Sequence, residues 1–167
     1  MLGGLFIKLT KLVNLNQICS NFAKNIIEPE SVVMANLDFL KDIKVLIVED
    51  DKDTQFIDKG MLAQIGVNPV FANNGNEAIE EIKKKEYDLI LMDVYMPVQD
   101  GLDTTRWIRD MEDDYFRNVP IFALTSFPTK EHTQEILDAG MNEHLVKPLD
   151  IDEFCMKVVK YKFRAKD

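Results

Sequence analysis

The stretch Tyr87 to Gly101, reading YDLILMDVYMPVQDG, constrains the fold of this chain more than any other. Its first half, Leu89, Ile90, Leu91 and Met92, is apolar with no polar alternation, the pattern of a parallel strand buried on both faces. The run ends on a carboxylate, Asp93, and passes into a loop holding Pro97 and Gly101. Open α/β sheets bind their ligands outside the carboxyl ends of their strands, so the sequence delivers an acid to the place where such folds do chemistry.

The flanking sequence repeats the strand-then-helix pattern. Val45 to Val48 is a short apolar strand ending in Glu49, Asp50 and Asp51, and the segment after it places Ile57, Met61 and Ile65 on one helical stripe before Gly66 stops it. Val67 to Ala72 reads as a second strand, Asn73 to Gly75 as a turn, and Glu77 to Lys85 as a helix with Ala78, Ile79 and Ile82 facing inward. After the central strand, Leu102 to Asp110 reads as a third helix and Val119 to Thr125 as a fourth strand with Pro120 at its start. Thr129 can cap a fourth helix that Gly140 ends, His144 to Val146 is a fifth strand, and Ile151, Phe154, Val158 and Tyr161 stripe a last helix. Five strands alternating with five helices imply a doubly wound parallel sheet, because right-handed crossovers lay helices on both faces.

Composition limits the functions available. The 167 residues suffice for one well-buried core with an extension, and a net charge of -9 argues against direct nucleic-acid binding, which needs a basic face. Cys19 and Cys155 lie far apart with no metal-ligand spacing, which fits free thiols in a reducing cytoplasm. Residues 1–41 carry Lys8, Lys11, Lys24 and Lys41 against Glu28, Glu30 and Asp38, a net of +1 that leaves -10 on the rest. Within them Leu2, Leu5, Phe6, Leu9, Leu12 and Val13 recur at helical spacing, so the extension is either an amphipathic helix or a disordered tail, with Met34 an alternative start. Lys8, Lys11 and Asn14 interrupt the apolar run before it reaches membrane-spanning length, and no secretory signal is expected.

Four features fall at strand carboxyl ends: the acids Glu49 and Asp50, the acid Asp93, the hydroxyl of Thr125 and the ammonium of Lys147. A doubly wound sheet gathers these ends on one edge. Clustered carboxylates repel one another unless a positive charge sits among them, and a hard cation such as Mg²⁺ or Mn²⁺ prefers oxygen donors of this kind. With Lys147 as a second positive charge and Thr125 as a donor, the edge is suited to a phosphoryl group, leaving one carboxylate free to attack phosphorus.

The motifs VLIVEDD, LILMDVYMPVQDG, FALTS and HLVKP, in this order and spacing, resemble the receiver domain of two-component response regulators, most closely receivers of hybrid sensor kinases and phosphorelays. The resemblance covers about Asp42 to Tyr161 and implies a flavodoxin-like (βα)5 three-layer sandwich of sheet order 2-1-3-4-5, an order also seen in the chemotaxis member of that family. It implies a phosphorylation-switched signalling domain of residues 42–167 that is not a turnover enzyme, with residues 1–41 as an extension. Asp93 would accept a phosphoryl group from a phosphohistidine on a histidine kinase or phosphotransfer protein. Asp50, Asp93 and the Tyr95 backbone carbonyl would bind Mg²⁺, with Glu49 acting mostly through a water, while Thr125 and Lys147 would hold the phosphoryl oxygens. Lys147-Pro148 matches the family's cis bond, and His144 stands where the family often has an aromatic switch that moves with the threonine.

Tyr95 and Phe127, each two residues past a site residue, flank the path of an attacking water, and their bulk predicts slow self-dephosphorylation. Phe56 is expected off the inward stripe of the first helix, where a phosphohistidine helix bundle could meet it; His132 is expected to be solvated. Two other functions stay open: a receiver-like scaffold that works without phosphorylation, and a Mg²⁺-dependent aspartyl-phosphate phosphatase like the haloacid dehalogenases, which place a second acid where Tyr95 stands. The downstream partner and self-association through the last helix or the extension are undetermined by sequence.

Overall fold

The computed structural model describes residues 38–164 apart from Val98. The amphipathic stripe read in residues 2–13, the alternative start at Met34 and Cys19 lie outside the described residues. After a 3-10 turn at Asp38–Lys41 the elements run β1 (Val45–Val48), α1 (Lys52–Ala63), β2 (Val70–Ala72), α2 (Gly75–Lys84), β3 (Leu89–Asp93) and α3 (Gly101–Arg109). A short α4 (Asp114–Asn118), β4 (Ile121–Thr125), α5 (Lys130–Asp138), β5 (Glu143–Val146) and α6 (Ile151–Arg164) complete the order. The five strands form one parallel sheet, β2-β1-β3-β4-β5, so the flavodoxin-like order expected from the resemblance is the observed one.

Strand alternation divides the core between the sheet's two faces. Leu46, Val48, Ile90, Met92, Ile121 and Ala123 face α2 and α3 through Ala78, Ile79, Ile82 and Ile108. Ile47, Leu89, Leu91, Phe122 and Leu145 face α1 and α6 through Leu62, Phe154, Cys155 and Val158. Full burial of one such aliphatic side chain contributes about 1.5–3 kcal/mol, so this two-sided core is the main source of stability. The uninterrupted apolar runs of β1, β3 and β4 follow from that cover on both sides.

The helix starts are capped by side chains that satisfy otherwise unpaired N–H groups. Asp51, Asn74, Asp100, Asp113 and Thr129 accept from Thr54, Glu77, Asp103, Tyr115 and His132 respectively. Gly140, at φ 94°, supplies the left-handed residue that ends the α5 segment.

Departures from the sequence reading have physical causes. The buried face of α1 is Gln55, Asp58 and Leu62; of the expected stripe, Ile57 is 54% exposed, Met61 is partly buried, and Ile65, just past the helix, packs partly buried against the core. Hydrophobic spacing misleads here because polar groups occupy the inward positions. The second strand starts at Val70 rather than Val67, since Val67 N–H instead bonds Leu62 O at 3.1 Å and Pro69 has no N–H to offer a ladder. The fourth strand likewise starts after Pro120, and α4, a single turn with no buried residue, carries no periodic apolar signal.

Arg109, at the end of α3, ties these later segments together. Its guanidinium donates to the carbonyls of Gly140 (2.9 Å), Phe116 (2.7 Å) and Val119 (2.8 Å) and to Asn142 Oδ1 (3.0 Å). Asn142 Oδ1 in turn accepts from Ile121 N–H at 2.8 Å, at the start of β4. Arg109→Met keeps much of the stem's packing but removes all four bonds. It is expected to lower unfolding stability by about 2–4 kcal/mol, measured by urea denaturation against wild type.

Candidate functional site

The sheet builds the site through its register. Val48 is opposite Met92, Asp93 opposite Leu124, and Thr125 opposite Val146, so Glu49, Asp93, Thr125 and Lys147 emerge at one edge. Backbone bonds extend the ladder past the strands: Glu49 N–H to Ala72 O (3.0 Å), Val94 N–H to Leu124 O (3.2 Å) and Lys147 N–H to Thr125 O (2.9 Å). Carboxylate oxygens of Glu49, Asp50 and Asp93 lie within 4.8 Å of one another. The Lys147 ammonium bridges Glu49 (2.5 Å) and Asp93 (2.7 Å), and the Lys147-Pro148 peptide bond is cis.

One ammonium cannot compensate two close carboxylates in a partly buried setting. Burial is the largest influence on Glu49 and, with repulsion from Asp93, holds its carboxyl above the usual range despite the Lys147 bond. Burial alone would lower Lys147, but its bonds to Asp93 and Glu49 outweigh this and raise it, so the ammonium stays charged. The residual negative charge and the three oxygen donors fit a divalent cation of the Mg²⁺ class.

The supporting contacts fix the first acids and the following loop. Gln55 Nε2 donates to Glu49 O at 2.6 Å, Asp51 N–H donates to Glu49 Oε1 at 3.2 Å, and Tyr95 N–H donates to Asp93 Oδ1 at 3.2 Å. Gly101 closes the loop with its N–H on Val94 O at 2.9 Å; a Cβ built there would stand 2.1 Å from Asp93 O, so the approach of α3 to the acid admits no side chain. Phe127 N–H bonds Thr125 Oγ1 at 3.2 Å, and the Phe127 and Tyr95 side chains are exposed. His144 is half-buried beside Glu143, at 3.6 Å, and burial followed by the Lys157 charge lowers its pKa.

His132 is not solvated as its helical position suggested. It is 6% exposed, with its ring stacked on Tyr95 at 5.3 Å between centroids and 9° between planes. Gln55, Asp58 and His132 are thus the site-flanking residues that the sequence reading missed. The cap at Thr129, the place of Tyr95 and the i,i+4 spacing of His132 and Ile136 were visible, but the meeting of the β3–α3 loop with α5 was not.

A sequence model of the response regulator receiver domain matches residues 45–159. The chain belongs to the response regulator receiver family. It is 35% identical over 136 residues to a probable histidine kinase of Oryza sativa subsp. indica, a match covering 64% of this chain and 14% of the kinase. The chain therefore corresponds to a small part of that relative. Among solved structures, it is similar to the receiver domain of a Pseudomonas aeruginosa sensor histidine kinase with magnesium coordinated in its active-site cleft, at 34% identity and TM-score 0.62, covering 71% of this chain and 95% of that one. A receiver domain from Saccharomyces cerevisiae, solved with the histidine phosphotransfer protein upstream of its response regulator, matches at 29% identity and TM-score 0.63, covering 71% and 88%. Phosphotransfer from histidine is the function of the family. Among the described residues no helix is long and apolar enough to cross a membrane.

Asp58, 3% exposed on α1, is raised to about 6, chiefly by burial, with Lys147 lowering and Asp93 raising it. A folded-state pKa above the unfolded value means that the folded chain binds the extra proton between about pH 4 and 6, so stability falls as pH rises through that window. Asp58→Asn is expected to flatten this dependence and to stabilise the fold at pH 7 by roughly 2–3 kcal/mol, since one pKa unit corresponds to about 1.4 kcal/mol. Denaturation midpoints at pH 4.5, 5.5 and 7 check both the slope and the gain.

Proposed function

We propose that Asp93 accepts a phosphoryl group from a protein phosphohistidine and that the resulting acyl phosphate switches partner binding. The observation that carries this reading is the Asp93 carboxylate at the end of the central strand, paired with Lys147 at 2.7 Å and clustered with Glu49 and Asp50. An Asp93 carboxylate oxygen attacks phosphorus, the P–N bond to the donor imidazole breaks, and the imidazole leaves with the bonding pair. The Lys147 ammonium neutralises charge on the phosphoryl oxygens and the Thr125 hydroxyl donates to one of them. Asp50, Asp93 and the Tyr95 carbonyl would hold Mg²⁺ or Mn²⁺ directly and Glu49 mostly through a water, and the cation would supply positive charge against the carboxylates and the phosphoryl oxygens. His144 is the switch residue that responds with Thr125.

In this reading residues 42–167 act as a signalling domain rather than a turnover enzyme, in the cytoplasm, a compartment that suits a buried cysteine such as Cys155. The donor is a histidine kinase or phosphotransfer protein. Its docking face is α1, whose Phe56 is 80% exposed beside the exposed Ile57, in the helix that starts directly after the acids. That pair suits the apolar part of a helix bundle bearing the phosphohistidine, and the yeast receiver was solved with a histidine phosphotransfer protein.

Incubation with phosphoramidate and Mg²⁺, followed by intact mass, is expected to show one phosphoryl adduct that disappears in Asp93→Asn and with a chelator. A folded, metal-binding protein that takes no adduct would instead favour a phosphorylation-independent scaffold. Phe56→Ala is expected to slow transfer from a phosphohistidine protein by about 5–30-fold, the range of an interface anchor, and to slow phosphoramidate labelling much less. Equal slowing with both donors would remove α1 as the docking face.

A further inference from the structure

Resting on the reading of Asp93 as phosphoacceptor, we infer that His132 is a positioning residue that fixes Tyr95 over the phosphorylation edge and thereby sets the lifetime of the acyl phosphate. Tyr95 belongs to the loop after β3, two residues beyond Asp93, and its N–H bonds Asp93 Oδ1 at 3.2 Å. Its side chain is 62% exposed, so its position rests on few contacts. His132 belongs to the first turn of α5, after the loop that carries Thr125, and Thr129 Oγ1 accepts from its N–H at 3.2 Å.

The two rings are nearly parallel, and His132 Nδ1 lies 3.4 Å from the Tyr95 hydroxyl and 3.3 Å from Glu135 Oε2. His132 Nε2 is buried with no hydrogen-bond partner among the described residues. Burying an imidazole nitrogen without a partner is unfavourable, so the His132 ring is kept there by the Tyr95 stack and the Nδ1 contacts. The stack joins the β3–α3 loop to α5, two segments that bracket the phosphoryl position.

Hydrolysis of the acyl phosphate requires a water oxygen to bond phosphorus while the P–O bond to Asp93 breaks. The carboxylate leaves with the bonding pair and the water proton passes to solvent. A Tyr95 ring held in one place obstructs that approach; a ring released from His132 swings through solvent and obstructs it less. His132 touches none of the reacting atoms in this scheme and acts through Tyr95.

The test follows loss of the phosphoryl group by intact mass after labelling with phosphoramidate and Mg²⁺ and removal of the donor. The wild-type half-life is expected to be minutes or longer. Tyr95→Ala and His132→Ala are each expected to decay faster by about 3–10-fold, the factor corresponding to one aromatic pair, and the double variant no faster than Tyr95→Ala. His132→Phe, which keeps a stacking ring, is expected to restore decay to within about twofold of wild type. Wild-type decay in His132→Ala, additive effects in the double variant, or fast decay in His132→Phe would each overturn the inference while leaving Asp93 as phosphoacceptor. A wild-type chain that takes no adduct overturns both readings.

Discussion

The Lys147 ammonium between Glu49 and Asp93 is the contact on which the acidic edge depends. Lys147 follows β5, and β4 lies between β5 and the β3 strand that carries Asp93. Strands lie about 4.8 Å apart, so the side chain must span about two spacings, close to the reach of an extended lysine meeting a carboxylate. The sheet order, the length of β5 and the Lys147 N–H bond to Thr125 O together bring the charge across. A one-residue shift of β5 would turn Lys147 to the other face and leave two carboxylates facing each other.

The pair is incomplete as charge compensation, and that incompleteness has chemical value. Two carboxylates share one ammonium, with Asp50 at the same mouth, and Glu49 is pushed up by its burial. A cation relieves the repulsion, whereas a phosphoryl group adds to it. On the proposed reading, arrival of a phosphoryl group would depend on the positive groups being in place beforehand, as expected where catalysis works by preorganised charge.

Much of this was legible because the chemistry falls at strand ends. The apolar runs before Glu49, Asp93 and Thr125 fixed where the strands stop, and parallel connectivity fixed that those stops share one edge. Lys147 was readable for the same reason, although β5 is less deeply buried. The inward face of α1 was not readable, because Gln55 and Asp58 interrupt the apolar period and sent the stripe to Ile57 and Met61. His132 lies four residues before the buried Ile136 on the inward face of α5, a spacing legible in the sequence, whereas the Tyr95 ring it stacks on comes from another segment and leaves no signature there.

The two faces of the sheet are consequently built differently. On one, α2 presents Ala78, Ile79 and Ile82 and serves as ordinary core. On the other, α1 contributes Leu62 as its fully buried apolar residue and gives its remaining inward positions to Gln55 and Asp58. Gln55 contacts the Glu49 carbonyl, and its Nε2 also lies 3.1 Å from Asn73 Oδ1, so it links the first acid to the end of β2. Asp58 lies in the field of both Lys147 and Asp93. Relative to α2, α1 forgoes about 1.5–3 kcal/mol of burial for each large apolar side chain it gives up. The acids are thereby supported by a helix whose inward face is largely polar, so the contacts that hold α1 to the sheet are also those that hold Glu49 in place.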